Sequence, residues 1–152
     1  MITGEIRRCG HRVGFSIIDV ATGEEGVLAH LHQPKGPRVG PYRVNLEDLE
    51  SIGLRAIERS LRARKLTVID EIAPMEITSG RFIPLVERAL DSGTALLVST
   101  HAHLQHPIVH RARRELALVR VRLGNRDALA DTLLALLAGK PVEVADADPT
   151  VP

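Results

Sequence analysis

The chain has 152 residues and a formal net charge of +1, a size suited to one domain with a real core and a charge balance that argues against a general nucleic-acid coat. No apolar run approaches the ~20 residues that cross a bilayer, and the N-terminus "MITGEIRRCG" lacks the basic-then-apolar pattern of a secretion signal. The single Cys9 excludes an internal disulfide framework, which fits a reducing cytoplasm.

Aromatic residues are confined to Phe15, Tyr42 and Phe82, so the core falls to Leu, Ile, Val and Ala. The first third reads as antiparallel β. "ITGEIRR" and "RVGFSIIDV" flank a short connection containing Gly10, "ATGEEG" makes a second turn, and "VLAHL" a third strand. "HQPKGPRVGPYRV", rich in Pro and Gly, reads as a long loop. Its Lys35, Arg38 and Arg43 could fold over phosphates as a lid or simply be solvated.

Residues 45–64 read as a helix, with Asn45 as N-cap and Glu47 and Asp48 near the positive end of the dipole. Leu46, Leu49, Gly53, Ala56, Ile57 and Leu61 share one face. "LTVID" follows as a strand too apolar on both faces for a solvated edge. Ser79 can cap a helix over 80–92, with Pro84 tolerated in its first turn, and "TALLVST" is a further apolar strand. The spacing then predicts a short helix over "PIVHRARRE", a strand over "LALVRVRL" and an amphipathic helix over "NRDALADTLLALLAG", stopped by Gly139 and Pro141.

The alternation of strands and helices after residue 45 predicts an α/β fold: a mainly parallel sheet flanked by helices, with an N-terminal antiparallel β portion. The expected organisation is a single domain over 1–140, divided into an antiparallel portion (1–32), a loop (33–44) and an α/β core (45–140). Residues 141–152 read as a loosely ordered tail.

In parallel sheets ligands sit at the carboxyl ends of the strands. Asp70–Glu71, Ser99–Thr100–His101 and Gly124–Asn125–Arg126–Asp127 all fall there. Mg²⁺ on a nucleotide accepts one or two carboxylates and keeps several waters. An Asp on a rigid strand end supplies such a ligand, and the next residue can orient and deprotonate a water. The competing reading is a strand that ends in acidic residues, with Glu71 capping or in an ion pair. Ser99 and Thr100 could bond a γ-phosphate or the water, or cap the chain's departure from the strand. Asn125, Arg126 and Asp127 could bind a base or phosphate at a helix N-terminus or serve as ordinary caps. His101, His103, His106 and His110 have spacings that could surround zinc, although no carboxylate or thiolate falls within the cluster.

The order of these features resembles the small nucleoside-triphosphatase family of P-loop proteins. The resemblance rests on "TGEIRR…HRVGFSIIDVATGEEGVLA", "GPRVGPYRVNLEDLE", "VIDEIAPME", "VSTHAHLQHPIV" and "GNRDAL", in register over nearly all of residues 2–138. It implies hydrolysis of ATP, GTP and other nucleoside triphosphates to the diphosphate with Mg²⁺, on a RecA-like sheet with an added antiparallel portion. By the same resemblance Asp70 matches the Mg²⁺-associated Walker B aspartate and Glu71 the catalytic base. Met75 and Glu76 match the following "ME", and Asn125, Arg126 and Asp127 match the "NRD" segment. Ala73 and Pro74 depart from the Gly and Lys usual between "DEI" and "ME".

A larger departure lies at the front. Family members open with a strand, a G-x-x-x-x-G-K-[ST] loop and a helix, whereas none of Lys35, Lys65 or Lys140 stands in that motif. Phosphates would lack their backbone N–H cradle and lysine, and Mg²⁺ its hydroxyl ligand. The sheet would lack a central strand. The expectation is therefore a chain inactive as given, its loop encoded upstream of a truncated gene model or donated by a partner chain. The alternative is a non-catalytic nucleotide-fold remnant acting as a binding or scaffold protein.

Overall fold

The computed structural model describes residues 1–139, and the predicted tail and the stop at Pro141 lie outside them. Contacts divide the chain into two units, Met1–Ala112 and Arg113–Pro152.

In the first unit, local turn chemistry sets the opening hairpin. β1 (Ile2–Arg8) and β2 (His11–Asp19) pair antiparallel from Ile2↔Ile18 to Arg8↔His11. The two linking residues, Cys9 and Gly10, both have positive φ, 48° and 79°, the conformation that two-residue hairpin turns require and glycine adopts without penalty. β3 (Glu24–His30) pairs antiparallel with β2 and starts at Glu24, ahead of the predicted Val27.

The segment predicted as a long loop is irregular chain with a bend over 33–37 and a tight hairpin over 38–44. β4 (Arg38–Val39) pairs with β5 (Tyr42–Val44), and β5 joins β3, which completes a five-stranded sheet of order β1-β2-β3-β5-β4. Pro and Gly suggested irregular chain, but they form turns around residues short enough to pair. Lys35 and Arg38 are exposed. Arg43 donates through Nη1 to the Gly36 carbonyl at 3.1 Å, so its charge serves the hairpin itself. Gly36 has φ +115°, and a Cβ there would lie 1.9 Å from the Val44 carbonyl oxygen. Because the obstacle is backbone, Gly36→Ala is expected to destabilise the protein by about 1–3 kcal/mol, read as a lower midpoint in urea denaturation.

The predicted helix over 45–64 is present in three stretches: α1 (Leu46–Asp48), a π-helical segment (Leu49–Leu54) and α2 (Arg55–Arg62). Asn45 is the N-cap, its side chain accepting from the Asp48 N–H. Asp48 Oδ2 in turn accepts the Val27 N–H at 2.7 Å, which ties the helix start to β3. At the other end of this helix, buried Asp19 is ion-paired with Arg59. These two links clamp the helix to the antiparallel sheet.

β6 (Thr67–Ile72) and β7 (Leu96–Thr100) form a parallel pair, with Thr67↔Leu96 and Ile72↔Thr100 in register. The start of the chain covers the other edge of β6: the Met1 N–H donates to Val68 O at 2.7 Å, and Met1 O accepts the Asp70 N–H at 3.3 Å. Bonds on either side of Ile69 are the parallel-ladder pattern. β6 is thus interior, as its apolar composition required.

α3 (Phe82–Asp91) turns Phe82, Leu85, Val86 and Ala89 into the core and carries Pro84 in its first turn. It starts two residues later than predicted, with Ser79 Oγ accepting the Arg81 N–H just ahead of it. α4 (Pro107–Glu115) contributes Ile108, Val109 and Ala112. The core is aliphatic apart from Met1, Tyr42 and Phe82, in line with the scarcity of aromatic residues.

Two expectations need correction. The sheet is not mainly parallel: five antiparallel strands stand against two parallel ones among the described residues. "LALVRVRL" forms no strand and belongs to no sheet among the described residues; the Arg120 carbonyl and the Arg122 N–H bond the Asn125 side chain instead. Leu118, Val121 and Leu123 are accordingly exposed. The last helix, α5 (Leu129–Leu137), begins after a turn that holds Asn125, Arg126 and Asp127. No helix of the described residues is long and apolar enough to cross a membrane.

Candidate active site

β6 carries Asp70 and Glu71 before its last residue rather than at its very end, through a cis peptide bond, and its pairing with β7 shifts between Ile69 and Ile72. Both carboxylates are part-buried. Asp70 is held from two directions. Ser99 Oγ on β7 donates to Asp70 Oδ1 at 2.5 Å, and the Thr3 N–H on β1 donates to Asp70 Oδ2 at 3.4 Å.

The Glu71 carboxyl is pushed above the ordinary carboxylate range. Burial is the main cause; the nearby His101 pulls it down and the Asp70 charge adds to the rise. A carboxylate that is harder to ionise is a stronger proton acceptor once ionised, which suits a general base. Thr100 lies opposite Ile72 on β7, and the His101 N–H donates to Ile72 O at 3.2 Å. The polar end of β7 is therefore fastened beside the acidic pair.

Beyond β6 the chain makes a 3₁₀ turn, Glu76–Thr78. Glu76 is 2 % exposed and its Oε2 has no hydrogen-bond partner. Burial pushes its carboxyl up to about 7, with the Glu71 and Asp70 charges adding and the N–H groups of Glu76 and Ala73 opposing. The Asp70 charge thus raises Glu71, and the charges of both raise Glu76, around the end of β6.

The family pattern described as "NTPase" matches residues 1–134. The chain belongs to this NTPase family. A nucleoside-triphosphatase THEP1 of Methanosarcina acetivorans is 47% identical over 131 residues, covering 86% of this chain and 74% of that one. One from Thermofilum pendens is 42% identical, covering 91% of this chain and 78% of its own. The crystal structure of THEP1 from Aquifex aeolicus superposes with a TM-score of 0.79 at 30% identity, over 90% of this chain and 81% of that one.

The NTPase fold brings Asp70, Glu71, Ser99 and Thr100 to one place, as the strand order predicts. Asn125, Arg126 and Asp127 belong to the second unit. There Asn125 does not cap α5. It closes its own turn, accepting the Arg122 N–H at 2.7 Å and donating to Arg120 O at 2.8 Å, while Arg126 pairs with Asp127 at 3.3 Å. The zinc alternative finds no support: no group of three His, Cys, Asp or Glu among the described residues could hold a metal. His101 Nδ1 accepts the His103 N–H, and His106 Nδ1 accepts the Ile108 N–H at the start of α4. These histidines serve local turns.

Sequence reasoning named Ser99 and Glu76 but missed two features of the site, the burial of Glu76 and the bond from Ser99 to Asp70. Glu76 sits between Met75 and Ile77, an acid among apolar neighbours, and that flanking was the available hint of burial. The Ser99–Asp70 bond depends on strand register, which no local pattern encodes.

Proposed function

We propose that these residues form the metal-binding and water-activating half of a nucleoside-triphosphate hydrolase site. The observation that carries this reading is the pair on β6: one carboxylate fixed by two hydrogen bonds beside a second with a raised pKa. The donor chemistry fits Mg²⁺, a hard cation that takes one or two carboxylates and completes its shell with water and phosphate oxygens. Asp70 would hold the ion, directly or through a water. When bound, the ion neutralises charge on the phosphoryl oxygens of ATP or GTP. Glu71 orients a water and takes its proton as that water attacks the γ-phosphorus; the bond from that phosphorus to the β,γ-bridging oxygen breaks, inorganic phosphate and the nucleoside diphosphate leave, and Thr100 meets the phosphate from β7.

The phosphate-binding half is proposed to come from outside these 152 residues, either from the same polypeptide or from a partner chain. Among the described residues β7 has β6 as its sole sheet neighbour, and Leu96, Leu97 and Val98 along it are only half-buried. A strand carrying a glycine-rich loop is proposed to join the sheet beside β7. The 152-residue chain alone is expected to show no Mg²⁺-dependent release of phosphate from ATP or GTP. Turnover is expected once a strand–G-x-x-x-x-G-K-[ST]–helix segment is fused ahead of Met1 or supplied separately. Turnover by the chain alone that Glu71→Gln abolishes would show the loop to be dispensable. A folded assembly that binds nucleotide without hydrolysis would favour the scaffold alternative.

A further inference from the structure

The hydroxyl of Ser99 has one proton, and in this structure it is committed. Ser99 Oγ donates it to Asp70 Oδ1 at 2.5 Å, across the parallel pair β6–β7. Toward any other group the hydroxyl has only lone pairs to offer. It can accept from an N–H or a water. It cannot donate to a phosphate oxygen, which was one role open to it from sequence. Its partner is the carboxylate that the proposed function assigns to the metal, and the present inference rests on that assignment.

We propose that Ser99 is a positioning residue for metal uptake, fixing the Asp70 carboxylate in the orientation that presents its remaining lone pairs to the ion. Each carboxylate oxygen has roughly two lone-pair directions. Ser99 takes one on Oδ1 and the Thr3 N–H takes one on Oδ2. The side chain is thereby braced from both flanking strands, yet each oxygen keeps one direction open. The Thr3 contact, at 3.4 Å and from backbone, is long and cannot follow a rotating side chain. The short Ser99 bond is the one that selects the rotamer. Outer hydrogen bonds of this type orient ligands, and their loss typically costs 10–100-fold in metal affinity. Ser99 is itself exposed, so its hydroxyl contributes little to the core.

Mn²⁺ serves as the probe, its binding to the purified full chain followed by water-proton relaxation enhancement, with thermal melting as a control for folding. Ser99→Ala is expected to weaken Mn²⁺ binding by about 10–100-fold with an unchanged melting temperature. Ser99→Thr, which keeps the hydroxyl, should restore most of the affinity, and Asp70→Asn should remove binding. If Ser99→Ala binds Mn²⁺ like the unsubstituted chain while Asp70→Asn does not, the role of Ser99 is overturned and the metal assignment stands. A drop in melting temperature with unchanged affinity would overturn it equally, by showing a structural role. Where the unsubstituted chain takes up no Mn²⁺, the same comparison is made with Mn²⁺ and ATP on the assembly completed by the glycine-rich segment, and uptake indifferent to Asp70→Asn there would instead overturn the metal assignment on which the inference depends.

Discussion

Replacing Glu71 by Gln in the hydrolytically competent assembly is expected to lower kcat by about 10²–10⁴-fold and to leave nucleotide affinity nearly unchanged. Gln has the same shape and can still orient a water, but it cannot accept the proton. The loss should therefore fall on the chemical step alone and lower kcat and kcat/KM together. The pH dependence gives a second reading of the same residue. A base works only when ionised, and burial holds the Glu71 carboxyl above its usual range. The acidic limb of the rate profile is therefore expected at higher pH than an ordinary glutamate would give. Since His101 pulls the Glu71 carboxyl down, His101→Ala should move that limb further up. Steady-state kinetics across pH checks both. A Glu71→Gln enzyme with normal kcat would reduce Glu71 to a strand-end acid, the plain reading the sequence also allowed.

Much of this site was legible in advance because strand order and chemistry are both local in the sequence. "LTVID" and "TALLVST" are apolar runs whose lengths suit buried strands, and a parallel pair brings their carboxyl ends together whatever its other details. The loop prediction for 33–44 held over 33–37 and failed over 38–44 because Pro and Gly mark turns without saying how much pairing lies between them. Tyr42 and Val44 point into the core, and their burial stabilises β5 where composition suggested irregular chain. The opposite failure occurred at "LALVRVRL". Its alternation is a correct strand pattern, but pattern alone supplies no partner, and tertiary context decided the outcome. Asn125 shows the same limit at smaller scale: Asn before an amphipathic run reads as a cap, yet its amide is spent on Arg120 and Arg122.

The buried acid beside the site has a consequence for stability that is separate from catalysis. Glu76 holds its proton up to about pH 7 in the folded protein, against 4.5 as its ordinary value. Between those values the folded state carries a proton that the unfolded chain has released. The contribution is fully present below pH 4.5 and is lost as pH rises through about 7. At ~1.4 kcal/mol for each pKa unit, the loss is roughly 3 kcal/mol, and the side chain is too deeply buried for solvent to screen it. Glu76→Gln has the shape of the protonated acid and no charge to bury, so it should abolish that slope. Urea denaturation of both proteins at pH 4.5, 6 and 8 makes the comparison, with all other titrating groups common to the two. The expected result is similar stability at the lowest pH and a variant more stable by roughly 3 kcal/mol at the highest. Parallel stability profiles would mean that Glu76 meets a compensating donor when ionised, and that its unpartnered Oε2 is no burden to the fold.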